Sequence, residues 1–332
     1  MHTVRWGVLG TAKIAVTKVI PAMRASRLSQ VTAIASRDRA RAENVAAKLD
    51  VPRAHSSYEA LLDDREVDAV YIALPNHLHV PWTIRAIDAG KHVLCEKPIG
   101  LDAADAQSLL DAARRTPALK VMEGLMYRHH PQWLRARDLA HEGAIGDLHS
   151  VHTWFSYFNV DADNVRNVIS FGGGALMDVG CYGISVPEFL FGATPTRVRA
   201  VSDRDPAFGI DRWTSAAMEF DRGFATLMCA TQAGPRQHVD IVGATGCIEI
   251  DCPFSPVPDA ASITIVRGST RESIAFESAN HYTLQADAFS RAILYDLPTP
   301  VALENSVANM EVLDAIRRSA ETGEWTDVTG RS

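Results

Sequence analysis

The chain has 332 residues, 47% of them hydrophobic and 22% charged, with a formal net charge of -7. That length suits two domains, and an acidic balance without blocks of like charge excludes the basic surface that a nucleic-acid groove needs. No apolar run reads as approaching the roughly 20 residues of a membrane helix, and Met1 leads almost directly into a strand, leaving no room for a signal peptide.

Val4 to Leu9 reads as a strand, after which Gly10-Thr11-Ala12-Lys13-Ile14-Ala15 turns into a helix running toward Met23. Aligned with the dinucleotide fingerprint, Gly10 is the tight-turn glycine, and Ala12 and Ala15 take the second and third small positions. Alanine at the second position is a departure, because it crowds a pyrophosphate more than glycine would. Gly10, Thr11, Ala12 and Ile14 are the expected phosphate cradle, where free N–H groups at a helix start favour an anion. A second strand, Gln30 to Ala35, ends in Ser36-Arg37-Asp38, with Arg41 one turn into the next helix. An acid at this tip bonds a ribose hydroxyl, whereas arginine suits a 2′-phosphate. Ser36, Arg37 and Arg41 favour NADP; Asp38 keeps NAD open, and the bland alternative is that both arginines are helix-start surface charges.

Val67 to Leu74 reads as a buried strand ending in Pro75-Asn76-His77, and Leu78 to Gly90 as a helix with His79 one step inside it. His79 is expected either to touch the cofactor or to cap and pack. A short apolar strand, Val93-Leu94-Cys95, then ends in Glu96-Lys97-Pro98. Proline cannot continue a central ladder, so the strand stops there and Lys97 stands at the sheet's carboxyl end, where ligands bind in open α/β sheets. Ala103 to Arg115 reads as a helix and Leu119 to Met122 as a strand. This alternation implies a parallel sheet with helices on both faces. Gly10, Leu74, Asn76, Glu96 and Lys97 should line one crevice. The first domain is expected over residues 1–122.

From Glu123 to the end, residues 123–332, the pattern changes. Paired His129 and His130 lack a third ligand at metal spacing, so no metal is expected. A helix ends near Gly143, Gly146 to Phe158 is a long strand, and further strands follow around Arg197–Val201, Trp213–Phe220, Phe224–Thr231, Val239–Val242 and Gly246–Asp251. Asp221-Arg222-Gly223 and Ala244-Thr245-Gly246 read as hairpin turns. Short connections demand antiparallel pairing, so this domain should be α+β with a large, open, mostly antiparallel sheet, closed by helices around Tyr282–Tyr295 and Glu304–Glu321. Apolar residues on both strand faces, Phe224 and Met228 against Leu227 and Cys229, imply a homodimer or dimer of dimers through the sheet. Five cysteines without metal spacing read as reduced thiols of a cytoplasmic protein.

Within this domain stands Gly172-Gly173-Gly174-Ala175-Leu176-Met177-Asp178-Val179-Gly180-Cys181-Tyr182. A glycine run lets another group approach the backbone closely, and helical spacing then resumes. Asp178 and Tyr182, four apart, project one turn apart on one face. The alternative is a loop and a helix whose Asp178 serves only the first-turn dipole.

Together, GVLGTAKIA, GKHVLCEKP, MYRHHPQ and GGGALMDVGCYGI resemble the Gfo/Idh/MocA family of NAD(P)-dependent oxidoreductases over nearly the whole chain. The resemblance implies an N-terminal Rossmann domain, a C-terminal open-sheet domain, the nicotinamide between Lys97 and the Asp178 helix, and a cis Lys97–Pro98 bond. Tyr182 stands where many members have histidine. That resembles the branch of dimeric dihydrodiol dehydrogenases, NADP-dependent aldose dehydrogenases and some deoxysugar ketoreductases. Hydride transfer needs a proton acceptor at the substrate oxygen, so Tyr182 is the expected acid/base, its pKa lowered by Lys97. Asp178 is the expected anchor for a neighbouring hydroxyl, and Arg128, Asn164 and Arg166 the further lining of a sugar or diol site. A non-catalytic NADP(H)-binding sensor and a glycosidase using tightly held NAD are the alternatives.

Overall fold

A computed structural model describes residues 2–256 and 261–328. The chain divides into two compact units, Met1–Met126 with Asn280–Val307 and Tyr127–Ala279 with Ala308–Ser332. Residues 280–307 thus return to the first unit, a return that a contiguous division after residue 122 does not contain. An amphipathic pattern announces that a helix packs, but not on which sheet.

The first unit is a six-stranded parallel sheet. Its strands are β1 (Val4–Leu9), β2 (Ser29–Ala35), β3 (Arg53–His55), β4 (Ala69–Ile72), β5 (His92–Cys95) and β6 (Val121–Glu123), in the order β3-β2-β1-β4-β5-β6. That is the doubly wound order, in which the carboxyl ends of β1 and β4 face each other across the reversal point. Between the strands run α1 (Ile20–Ala25), α2 (Arg39–Lys48), α3 (Tyr58–Leu62), α4 (His79–Asp88) and α5 (Ala103–Arg115). The four residues of β4 are all buried, as expected of a strand covered on both faces. The segment Ala15–Val19 before α1 is wound more widely, Ile20 N–H bonding Ala15 C=O. Pro21 follows at once and has no N–H to continue the tighter ladder. β3 and α3 escape the sequence reading: Arg-Ala-His shows no apolar run, and five residues show no helical period.

The second unit contains α6 (Pro131–His141), β7 (Leu148–Phe158), α7 (Cys181–Phe191), β8 (Arg197–Arg204), β9 (Asp211–Phe220), β10 (Gly223–Ala230), β11 (Gln232–Gly243), β12 (Cys247–Ile250), β13 (Ser262–Arg267) and β14 (Thr270–Ala275). Helix α8 (His281–Leu294) belongs to the first unit, with the Phe289 ring 5.8 Å from Trp6 and Ser290 Oγ 3.0 Å from Ser29 Oγ. The chain then runs through α9 (Leu303–Thr322) to a two-residue strand, β15 (Thr326–Asp327). The nine-stranded sheet has the order β14-β13-β12-β11-β7-β10-β9-β8-β15. Its described pairs are antiparallel except β7 with β10, which are parallel because β7 enters from a separate connection. The hairpins at 221–223 and 244–246 join β9 to β10 and β11 to β12 as read. One stretch, Ile169–Phe191, does have the length and apolarity to cross a membrane, contrary to the sequence reading; 72% of its apolar 18-residue window is buried inside the protein, as a core helix is.

Candidate functional site

In the first unit the carboxyl edge of the sheet gathers Gly10, Leu74, Glu96 and Lys97. Gly10 has φ +95°, and a Cβ there would stand 2.9 Å from Leu74 Cδ2 and 3.1 Å from the Ala73 carbonyl oxygen, so only glycine fits the turn. Its N–H bonds Ala35 C=O at 3.0 Å, tying the turn to the end of β2, and helical winding opens with Val16 N–H on Ala12 C=O. Thr11 is buried, while Ala12 and Ile14 are partly exposed at that helix start.

At the tip of β2, Ser36 is buried and its Oγ accepts Asp38 N–H at 3.2 Å. Asp38 caps α2, its carboxylate accepting Arg41 N–H at 3.1 Å. Arg41 reaches back to donate to Thr11 C=O at 3.2 Å. Tyr58 of α3 joins them: burial raises its phenol, while the guanidinium groups of Arg37, which hydrogen-bonds it, and of Arg41 pull it down. Arg41 therefore bridges the first and second strand ends, Arg37 turns to α3, and the acid beside them already serves the helix.

Asn76 opens a single tight turn after Pro75. His79 is 1% exposed, and its ring nitrogens face the Pro98 carbonyl oxygen at 2.7 Å and the Leu74 carbonyl oxygen at 2.8 Å. Burial, assisted by the nearby Lys97 charge, lowers its pKa to about 4 against the pull of both carbonyls. A neutral ring has one N–H for two oxygens, so one of these contacts carries no hydrogen bond. His79 presents no polar atom to a nucleotide; it braces the loop after β4 against the loop after β5. This is the packing role that the sequence reading offered beside a cofactor contact. Glu96 accepts the Tyr71 hydroxyl at 2.7 Å, and the Lys97–Pro98 peptide is cis.

In the second unit the site is built on the helix entered through the glycine run. Asp178 is 9% exposed; its Oδ2 accepts the Tyr157 hydroxyl at 2.5 Å and pairs with Arg166 Nε at 2.9 Å. Burial, then the Asp178 charge, push the Tyr157 phenol well up. Tyr157, from β7, was not singled out by the sequence, since an aromatic in a strand reads as packing. Residues Leu176–Gly180 are wound in a wider, five-residue turn before α7, so the simple one-turn stacking of Asp178 on Tyr182 does not apply. Tyr182 is 4% exposed, its ring 4.9 Å from Phe254 and 5.6 Å from Phe155.

Two expected substrate residues have partners within the protein. Arg128 donates to Ser185 Oγ at 2.8 Å and to Ser185 C=O at 3.1 Å, and its guanidinium lies 5.4 Å from the Phe189 ring; it clamps α7. Asn164 accepts Arg166 N–H at 3.1 Å as the cap of a short turn, so it shapes the loop that presents Arg166. His130 caps α6 through its ring, and burial lowers the His129 pKa to about 4. Among the described residues, no group of three or more His, Cys, Asp or Glu side chains is arranged to hold a metal.

Residues 4–125 match the model described as "Oxidoreductase family, NAD-binding Rossmann fold", and residues 133–249 match the "GFO/IDH/MocA C-terminal domain". The chain is 39% identical to an NADP+-dependent D-xylose 1-dehydrogenase of Haloferax volcanii, over 96% of this chain and 98% of that one. It is 30% identical to the mouse (Mus musculus) trans-1,2-dihydrobenzene-1,2-diol dehydrogenase, over 81% of this chain and 79% of the relative. Among solved structures, a 3-ketoreductase from Actinomadura kijaniata in complex with NADP and TDP-benzene superposes with a TM-score of 0.90 at 31% identity, covering 96% of this chain and 98% of that one.

Proposed function

The chain belongs to the Gfo/Idh/MocA family of oxidoreductases, and from that premise we propose that it is an NADP-dependent enzyme moving a hydride between the nicotinamide and the CH–OH or C=O carbon of a sugar or related diol. The residues fit NADP: Gly10 leaves the backbone open to a pyrophosphate, Arg37 and Arg41 offer two guanidinium groups to a 2′-phosphate, and Asp38 is engaged as a helix cap. Thr11, Ala12, Ile14, Ser36, Leu74, Asn76, Glu96 and Lys97 complete the cofactor side. The dinucleotide supplies the hydride chemistry when bound; the chain's own residues handle the proton and the substrate's orientation.

Tyr182 exchanges the proton with the substrate oxygen. Lys97 is assigned as the hydrogen-bond donor to the reacting oxygen, where an ammonium stabilises developing negative charge. Asp178, held by Tyr157 and Arg166, anchors a neighbouring hydroxyl. The observation that carries this reading is Lys97 fixed at the carboxyl edge of a doubly wound sheet, its neighbour Glu96 accepting the Tyr71 hydroxyl of β4 and the Pro98 carbonyl held against the His79 ring of α4. Replacing Lys97 by Met or Tyr182 by Phe should lower turnover by about two to four orders of magnitude, the usual worth of acid–base catalysis. NADPH binding, followed by fluorescence titration, should survive in Tyr182→Phe. Turnover of a panel of aldoses, keto-sugars and dihydrodiols within twofold of the parent would overturn the roles.

We further infer a cytoplasmic protein, because all five cysteines are free thiols, and a homodimer or dimer of dimers assembled through the nine-stranded sheet. Residues 1–122 supply the cofactor domain of this proposal and residues 123–332 the substrate and assembly domain, with 280–307 folding back onto the first.

A further inference from the structure

The helix that bears Asp178 and Tyr182 begins without a cap of its own. Ala175, which precedes its first turn, offers no side-chain acceptor, and the three residues before it are glycines. Leu176 is 3% exposed, so water does not readily serve its N–H. The acceptor comes from another strand. Asp211, the first residue of β9, takes the Leu176 N–H on Oδ2 at 2.7 Å, and the same oxygen takes the Thr214 hydroxyl at 3.0 Å. Thr214 in turn meets Ser202 Oγ of β8 at 2.8 Å, so the carboxylate is anchored to two strands.

The glycine run is shaped around this group. Gly174 has φ +119°, and a Cβ there would stand 2.0 Å from Asp211 Oδ1. Gly174 N–H bonds Arg166 C=O at 2.9 Å, and a Cβ on Gly173 would stand 2.4 Å from that same oxygen. Gly174 C=O then accepts Asp178 N–H at 3.0 Å. The Asp211 carboxylate, the Arg166 loop and the start of the helix therefore close on each other within four residues of Asp178. A cavity of about 270 Å³ lies beside them, lined by Asp211, Thr214, Ser202, Leu176 and Arg317 among others. Asp211 has no place in the proton or hydride steps, and no motif points to it.

We propose that Asp211 is a positioning residue of the reaction: it caps the catalytic helix from outside and sets where Asp178 and Tyr182 stand. This rests on the proposed roles of Asp178 and Tyr182. Asp211→Ala should lower kcat at least tenfold and raise the primary isotope effect measured with 4-deuterated NADPH, because misplacement makes hydride transfer slower than release. NADPH affinity should stay within twofold. Asp211→Asn, which keeps an oxygen for the Leu176 N–H, should restore most of the turnover. Thr214→Val should cost a few-fold, and it carries the test if the alanine variant does not fold. A merely structural role lowers Tm but leaves kcat and the isotope effect at parental values well below Tm. That result for Asp211→Ala or for Thr214→Val, or equal losses in the Ala and Asn variants, overturns the proposal. Tyr182→Phe, measured alongside, separates the two layers. If it stays active, the site reading fails; if it is inactive while Asp211→Ala is normal, only the positioning role fails.

Discussion

At the tip of β2, Arg37 meets the Tyr58 hydroxyl and Arg41 the Thr11 carbonyl. A hydrogen bond to a charged group contributes about 1.5–3 kcal/mol, and about 1.4 kcal/mol is tenfold. Arg37→Ala and Arg41→Ala should each therefore raise KM for NADP+ about tenfold or more and leave KM for NAD+ within twofold; equal effects on both cofactors would refute 2′-phosphate recognition. His79 and His129 make a second residue-scale test. Both have pKa values lowered by burial to about 4, below the unfolded value, so the unfolded chain binds more protons between the two values. Their stabilisation is full above the unfolded pKa and falls with pH from about 6.5 toward 4, by roughly 1.4 kcal/mol per unit for each group. Urea unfolding at pH 7 and pH 5 should differ by roughly 4 kcal/mol from this pair, and NMR should find both rings neutral at pH 5. At this scale the sequence was legible where a motif binds its own neighbourhood, as at the Gly10 turn and the strand end at Lys97–Pro98. It was silent on Tyr157 and Asp211, whose contacts exist only through partners on other elements, and it did not show that Arg128 clamps α7, because a clamp and a ligand look alike in one dimension.

Helix α7 lies directly on β10. A Cβ on Gly183 would stand 2.8 Å from Leu227 Cβ, and one on Gly180 would stand 3.0 Å from Cys229 Sγ. Two glycines three apart thus set the separation of the helix that bears Tyr182 from its sheet. Gly183→Ala has to push against a Cβ anchored to backbone, and overpacking of this kind costs about 1–3 kcal/mol. The expected outcome is a lower urea midpoint together with lowered turnover, since Tyr182 is adjacent; a midpoint equal to the parent's would refute the close approach. The same contact explains which elements could be read. Strands such as Ala69–Ile72 and helices such as Ala103–Arg115 carry their burial in their own period. The wide turns at Ala15–Val19 and Leu176–Gly180 arise from Pro21 and from glycine packing, which a 3.6-residue period does not encode. The β13–β14 hairpin was missed because β14, Thr-Arg-Glu-Ser-Ile-Ala, is almost wholly exposed and shows no apolar face.

The proposed assembly is argued from the faces of the nine-stranded sheet. Residues paired across neighbouring strands share a face, and the register places Trp154 opposite Met228, Met228 opposite Ser215, and Ser215 opposite Val201. Phe158 and Phe224 lie an even number of residues from Trp154 and Met228, so they belong to that face as well. The opposite face, through Ala225, Leu227 and Cys229, is buried under α7. On the first face Trp154 is 41%, Phe224 51%, Val201 59% and Phe158 64% exposed, a row of large apolar groups that a lone chain would leave in water. Single exposed apolar residues need no explanation, but a contiguous patch marks an interface, and a stable one buries about 800 Å² per partner. We propose this face as the surface through which a second copy docks. A Trp154→Glu, Phe224→Glu double variant should sediment as a monomer at concentrations where the parent is a dimer or a dimer of dimers. It should keep its NADPH affinity, because the cofactor residues lie in the other unit. A parent that sediments as a monomer at every concentration, or a double variant that still assembles, would remove the sheet from the account of assembly.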